Sequence, residues 1–137
     1  MRSLLDTHVL IYADSGDEPR KQQRALQLIT SLRAAGSVLS VQVLQEFIDV
    51  ALRKLRLPPP LIRQRIAFYQ RFELVPTSPE LIAGALDLHV LHNLAFYDAL
   101  IIQAAVVSGC ERLLTEDMQH GAVIGGVRIE NPFLVAA

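Results

Sequence analysis

The sequence predicts an α/β fold: an open, mainly parallel sheet of about five strands covered by helices on both faces. Two observations carry this. Short apolar segments alternate with amphipathic stretches along all 137 residues, the pattern of strand–helix–strand units joined by right-handed crossovers. Four acids, Asp6, Glu46, Asp98 and Asp117, each fall where that alternation puts the carboxyl-end rim of the sheet, the side on which such sheets bind ligands. A chain of this length is expected to bury one core, so residues 1–137 are read as a single domain.

Arg2 to Leu5 reads as a short buried strand ending at Asp6, and Thr7 to Ala13 as a short helix carrying Val9, Leu10 and Ile11. After a polar loop, Pro19 suits the first turn of a second helix. Its apolar positions are Ala25, Leu26, Leu28, Ile29 and Leu32, and Gly36 closes it. Val38 and Leu39 form strand two. Ser40 caps a helix running to about Leu55, with Val43, Leu44, Phe47, Ile48, Ala51, Leu52 and Leu55 as its buried side. Pro58, Pro59 and Pro60 stop it.

A helix over roughly Leu61 to Phe72 leads to strand three at Glu73 to Val75. Ser78, Pro79 and Glu80 open the next helix, ending near His92 and Asn93, and a very apolar helix follows to Ser108. Arg112 to Leu114 is strand four, Thr115 to Gly121 a loop, and Val127 to Ile129 strand five.

Composition excludes several classes. The longest apolar run, Ala99 to Val107, is interrupted by Gln103 and too short for a membrane span. Asp6 and His8 break any signal-peptide core, so a cytoplasmic protein is expected. Cys110 is the only cysteine and reads as a small buried residue. Hydrophobic residues make up 51% of the chain, enough to reserve apolar surface for a partner or a second copy. Between Arg20 and Arg71 ten basic residues face two acids, and beyond Arg71 eight acids face Arg112 and Arg128. That division fits an acidic metal site beside cationic arms that hold a polyanion.

Each acid has an ordinary structural role open to it as well. Asp6 and Asp117 suit a helix cap and a turn. Glu46, whose neighbours one turn away are Val43 and Val50, is either a ligand or a boundary residue paired with Arg53 or Arg20. Asp98 precedes Ala99, Leu100, Ile101 and Ile102 and has no capping-box partner, since Ile101 stands in that place. Glu116 adjoins Asp117, and either can face a shared ion. Taken together, clustered carboxylates without nearby cations repel one another unless a hard cation such as Mg²⁺ or Mn²⁺ neutralises them.

The stretches Leu5-Asp6-Thr7-His8-Val9-Leu10-Ile11, Ser40 to Phe47, Phe96-Tyr97-Asp98-Ala99-Leu100-Ile101, Leu114-Thr115-Glu116-Asp117-Met118-Gln119-His120-Gly121 and Ile129 to Phe133 resemble PIN-domain ribonucleases. The likeness spans nearly the whole chain and is greatest to the VapC-type toxins of prokaryotic toxin–antitoxin pairs. It implies a three-layer α/β/α sandwich and Mg²⁺- or Mn²⁺-dependent cleavage of RNA to 5′-phosphate and 3′-hydroxyl ends. Asp6, Glu46, Asp98 and Asp117 match the family's catalytic, metal-holding acids, with one or two ions. Thr7 and Thr115 match hydroxyl positions that orient a carboxylate or water, and Glu116 stands in the same outer ring.

His8 replaces a common Asn or Ser and is assigned a supporting or packing role. Arg20, Lys21, Arg24, Arg53, Lys54 and Arg56 are the candidates for gripping RNA phosphates. Tyr12, Tyr69, Phe72 and Tyr97 are candidates for stacking on bases or for the core. His89, His92 and His120 form no zinc spacing. The resemblance further implies a VapB-like antitoxin partner and a homodimer. Haloacid-dehalogenase-like phosphatases and receiver domains also place acids at a sheet rim, but both rely on a late lysine, and here Lys21 and Lys54 are the only lysines. The alternative from another class is a non-catalytic PIN-like module that binds RNA or protein.

Overall fold

Ser3, Leu4 and Leu5 are all buried, as a strand must be when helices cover both faces of a parallel sheet. The computed structural model describes residues 1–134; the last three residues of the expected 1–137 domain lie outside them. Along the chain run β1 (Ser3–Leu5), α1 (Thr7–Ala13), α2 (Pro19–Ala34), β2 (Val38–Ser40), α3 (Val41–Arg53) and α4 (Pro59–Tyr69). They are followed by β3 (Glu73–Val75), α5 (Pro79–His92), α6 (Phe96–Val107), β4 (Arg112–Leu114), β5 (Val123–Ile124) and β6 (Val127–Glu130).

The sheet order is β3-β2-β1-β4-β6-β5. The pairs from β3 to β6 are parallel, and β5 joins antiparallel. Because β1, β2 and β3 step one way and β4 returns to the other side of β1, right-handed crossovers put α1 to α4 on one face and α5 and α6 on the opposite face. The result is the expected three-layer α/β/α arrangement. The reversal of strand order falls between β1 and β4, which opens a crevice beyond their carboxyl ends. Phe47 on α3 is fully buried and meets Tyr69 of α4 edge-on, with ring centroids 5.6 Å apart; burial of one such ring stabilises the fold by about 1.5–3 kcal/mol.

The sheet has six strands among the described residues, not five. The missed strand, β5, pairs with β6 through Gly125 and Gly126, both at positive φ (60° and 81°). A two-residue hairpin turn of that hand suits glycine at both positions. Several boundaries also differ. The Ser40-capped helix ends at Arg53 and not near Leu55, because Arg56 turns left-handed (φ 52°) and the Leu57 N–H returns to the Ala51 carbonyl.

The prolines that stop this helix also start the next, which begins at Pro59 and ends at Tyr69, short of Phe72. Leu26 and Leu52, expected on buried faces, are about half exposed. Cys110 is buried, as expected. No single helix among the described residues is long and apolar enough to cross a membrane.

Candidate active site

β1 delivers Asp6 to the crevice in an extended conformation that caps α1. Its Oδ1 accepts the Thr7 N–H at 2.6 Å, and its Oδ2 accepts the Thr115 hydroxyl at 2.6 Å. Its own N–H donates to the Leu114 carbonyl, so both sides of the strand reversal hold it. The same Thr115 oxygen accepts the Asp117 N–H at 3.2 Å. One buried hydroxyl, following β4, therefore sets the position of two acids. Asp6 is only 6% exposed and forms the floor.

Around that floor lies a cleft of about 440 Å³ lined by Asp6, Glu46, Asp98 and Asp117 together. Glu46 comes from α3, which leaves β2 at the rim. Asp98 comes from the first turn of α6, where the helix macrodipole favours an anion; it is half-buried, less deeply than its apolar surroundings in sequence suggest. Glu46 pairs with neither Arg53 nor Arg20. It accepts the Gln42 amide at 2.9 Å, while Arg53 is held by both oxygens of Asp49 at 2.9 and 2.7 Å. No ion pair links Asp6, Glu46 or Asp98 to Lys or Arg among the described residues.

The consequence is electrostatic. Burial pushes the Asp6 carboxyl above the usual range, against the pull of its two hydrogen bonds, and the Asp117 charge adds to the rise. Burial likewise raises Asp98, with Asp6 and Asp117 repelling its charge. Glu46 is reachable by solvent, yet the cleft walls strip enough water to raise it too, helped by Asp6 and Asp98. Each acid thus feels its neighbours, as carboxylates sharing one site do.

Glu116 and Asp117 differ in their partners. Asp117 lines the cleft. Glu116 is not among its lining residues: Tyr12 donates its hydroxyl to Oε1 and Lys21 Nζ sits 3.0 Å from Oε2. Burial works against the Glu116 charge, but the two donors outweigh it and hold its pKa below the ordinary range. Lys21 also bonds the Tyr12 hydroxyl at 3.2 Å and lies over its ring. Its charge is paired within the chain, which leaves it less available to RNA phosphates than the sequence suggests.

Arg24 donates to the Pro132 carbonyl, and Arg20, Lys21 and Arg24 line a separate cavity against Phe133. Arg56 does not line the acidic cleft; Arg53 and Lys54 do.

His8 sits where a supporting residue for Asp117 would. It lines the cleft with Nδ1 2.8 Å from Asp117 Oδ2. One donor atom each from His8, Glu116 and Asp117 lie within 4.8 Å of one another. The signal available was positional, since the residue two after a rim acid on a short helix stays at the rim. Thr7 lines the cleft as well, and its Oγ1 is buried with no protein partner. Crowded carboxylates, three of them in no ion pair with Lys or Arg among the described residues, and an orphaned buried hydroxyl are a donor set of hard oxygens, which fits a divalent cation.

The fold and the cleft define a family. The family model of the PIN domain matches residues 3–123, and the chain belongs to that family. Among solved structures the chain is similar to a toxin–antitoxin complex from Klebsiella pneumoniae (TM-score 0.70, 21% identity, 97% of this chain and 99% of that one). It is also similar to the sarcin–ricin loop cleaving toxin VapC20 of Mycobacterium tuberculosis (0.69, 17%, 84% and 89%). A third is FitAcB from Neisseria gonorrhoeae (0.64, 20%, 97% and 99%). At these identities the likeness establishes a shared fold. No curated protein matches significantly.

Proposed function

We propose that this chain is a cytoplasmic, single-domain, metal-dependent endoribonuclease and the toxin of a toxin–antitoxin pair. The observation that carries the reading is the convergence of Asp6, Glu46, Asp98 and Asp117, distant in sequence, on one cleft, where the first three make no ion pair with Lys or Arg among the described residues. A divalent ion, Mg²⁺ or Mn²⁺, held among these four acids would supply charge neutralisation at the phosphate and activation of water.

The chain's own groups do the positioning. Thr115 fixes Asp6 and the backbone of Asp117, and the Thr7 N–H locks the other Asp6 oxygen. Arg53 and Lys54 lie along the cleft where the RNA backbone would run. The Asp49–Arg53 pair is exposed, so a phosphate can take the carboxylate's place. Hydrolysis adds water across the P–O3′ bond: the water oxygen joins phosphorus, the phosphate stays on O5′ of the downstream fragment, and O3′ of the upstream fragment leaves and takes up a proton as a hydroxyl.

The toxin half of the reading draws on the resemblance and on the toxin–antitoxin complexes that share the fold. A VapB-like antitoxin would then be the inhibitory partner. For a homodimer, α5 offers a stripe of exposed Ile82, Leu86 and Val90 beside Leu91, the last two about three-quarters exposed. A monomeric protein has little reason to leave such a stripe to water.

The test is incubation of purified protein with cellular RNA, with Mg²⁺ or Mn²⁺ and with chelator, beside Asp98→Asn. Cleavage that requires the ion and disappears in the folded variant is the expected result. Equal cleavage by Asp98→Asn would remove Asp98 from the mechanism. Binding of RNA or protein with no cleavage under any metal would establish the non-catalytic module instead.

A further inference from the structure

We infer that Tyr97 is the base-stacking platform of the cleft, and that the RNA taken by this site presents an unpaired base beside the scissile phosphate. The inference rests on the ribonuclease reading above and deepens it.

The aromatic residues sort themselves by what they touch. Phe47, Tyr69 and Phe72 are buried in the core, and Phe68 packs edge-on against Tyr69 and Phe72. Tyr12 is committed to Glu116 and Lys21, with Phe133 edge-on to its ring at 5.0 Å. Phe96 is half-buried against the core. Tyr97 alone among them is 72% exposed while also lining the acidic cleft. Its hydroxyl makes no hydrogen bond among the described residues. A structural role would bury the ring or use the hydroxyl, and neither is observed.

Its position is specific. Tyr97 immediately precedes Asp98 on the first turn of α6, so ring and carboxylate are fixed to the same rigid element. Phe96 holds the ring from behind, edge-on at 5.8 Å and 70°. Arg53 and Lys54 line the same cleft from the end of α3. A strand whose phosphate descends to the acids would have its backbone by these two cations and its base on the α6 side, over the tyrosine face. Stacking of that kind is open only to a base already out of a duplex, and it tolerates any base because every base has a π-face.

The experiment uses the full chain carrying Asp98→Asn, so that RNA is bound without being cut, and a fluorescein-labelled single-stranded oligoribonucleotide of mixed sequence read by anisotropy. Adding Tyr97→Ala is expected to weaken binding about five- to 150-fold, the range of one base–aromatic stack. Tyr97→Phe keeps the π-face and should stay within about two-fold of the parent. The same oligonucleotide annealed to its complement should bind the parent and Tyr97→Ala alike.

Unchanged single-strand binding by Tyr97→Ala overturns the inference. So does Tyr97→Phe binding as weakly as Tyr97→Ala, which would make the hydroxyl responsible. A Tyr97→Ala protein that binds RNA normally but loses its antitoxin would reassign the ring to a protein interface. Failure of the inference alone leaves metal-dependent cleavage intact in the protein with Asp98 restored. A protein with Tyr97 and Asp98 intact that neither binds nor cuts RNA defeats the ribonuclease reading and this one together.

Discussion

Thr115 carries more of the site than its size suggests, and Thr115→Val tests this. The substitution keeps shape and volume and removes one hydroxyl, which donates to Asp6 Oδ2 at 2.6 Å in a fully buried position. A hydrogen bond to a charged group contributes about 1.5–3 kcal/mol. The second bond, from the Asp117 N–H, adds little because Asp117 is exposed and water can replace the acceptor. Unfolding entropy for a chain of this length is about 0.3 kcal/mol/K, so a loss near 2 kcal/mol lowers Tm by about 7 °C.

The assay is a thermal melt near pH 7 in chelator, with Thr115→Ser as the control that keeps the hydroxyl and should melt within about 3 °C of the parent. The Thr115→Val deficit should shrink as pH falls and Asp6 becomes protonated, since the bond is strongest to the anion. If Thr115→Val melts with the parent, or Thr115→Ser falls as far as Thr115→Val, the hydroxyl does not organise Asp6.

Asp6, Glu46 and Asp98 all have raised pKa values in the folded chain. Each therefore holds its proton more tightly folded than unfolded, contributing stability present below the ordinary carboxylate range and lost as pH rises through the raised values. Asp98→Asn should match the parent below the ordinary carboxylate range and melt above it at mildly alkaline pH in chelator; a parent that melts higher there would contradict the repulsion. Adding Mn²⁺ should stabilise the parent more than this variant, read by the same melts. Lys21→Met should lower Tm through the loss of its pairing with Glu116, yet leave the salt dependence of single-stranded RNA binding unchanged. Lys54→Gln should reduce that slope by about 0.7, and an equal reduction by Lys21→Met would return Lys21 to the RNA interface.

Much of the fold was legible because its parallel strands leave a plain trace. Leu4-Leu5, Val38-Leu39 and Leu113-Leu114 are short apolar runs between helices, and burial on both faces demands that pattern. Ser40 and Ser78 were readable as caps, and their hydroxyls do accept the Val43 and Leu81 N–H groups at 3.1 Å. What escaped was β5, two residues long and partly exposed, with no periodicity to detect. The Gly125-Gly126 pair between Val-Ile and Val-Arg-Ile was the available signal. The early end of α3 escaped for another reason: a left-handed arginine is set by the chain path that follows it, not by Arg56 itself.

The candidate site divides in the same way. That Asp6, Glu46, Asp98 and Asp117 face one cleft follows from topology, since a sheet that reverses its strand order brings the ends of β1, β2 and β4 together with the start of α6. Local spacing could not choose between Glu116 and Asp117, because both follow β4 at the rim and only their tertiary partners distinguish them. Tyr12 and Lys21, from α1 and α2, take Glu116 and so leave Asp117 to the cleft. The same pairing explains why the basic stretch from Arg20 to Arg71 overstates the grip on a polyanion. Lys21, Arg53 and Arg65 each answer an acid inside the protein, and only the exposed Arg53 pair lies in the cleft. On the proposed reading, a phosphate entering there would exchange one anion for another at Arg53, which would leave Lys54, the ion and the stacked base to supply most of the affinity.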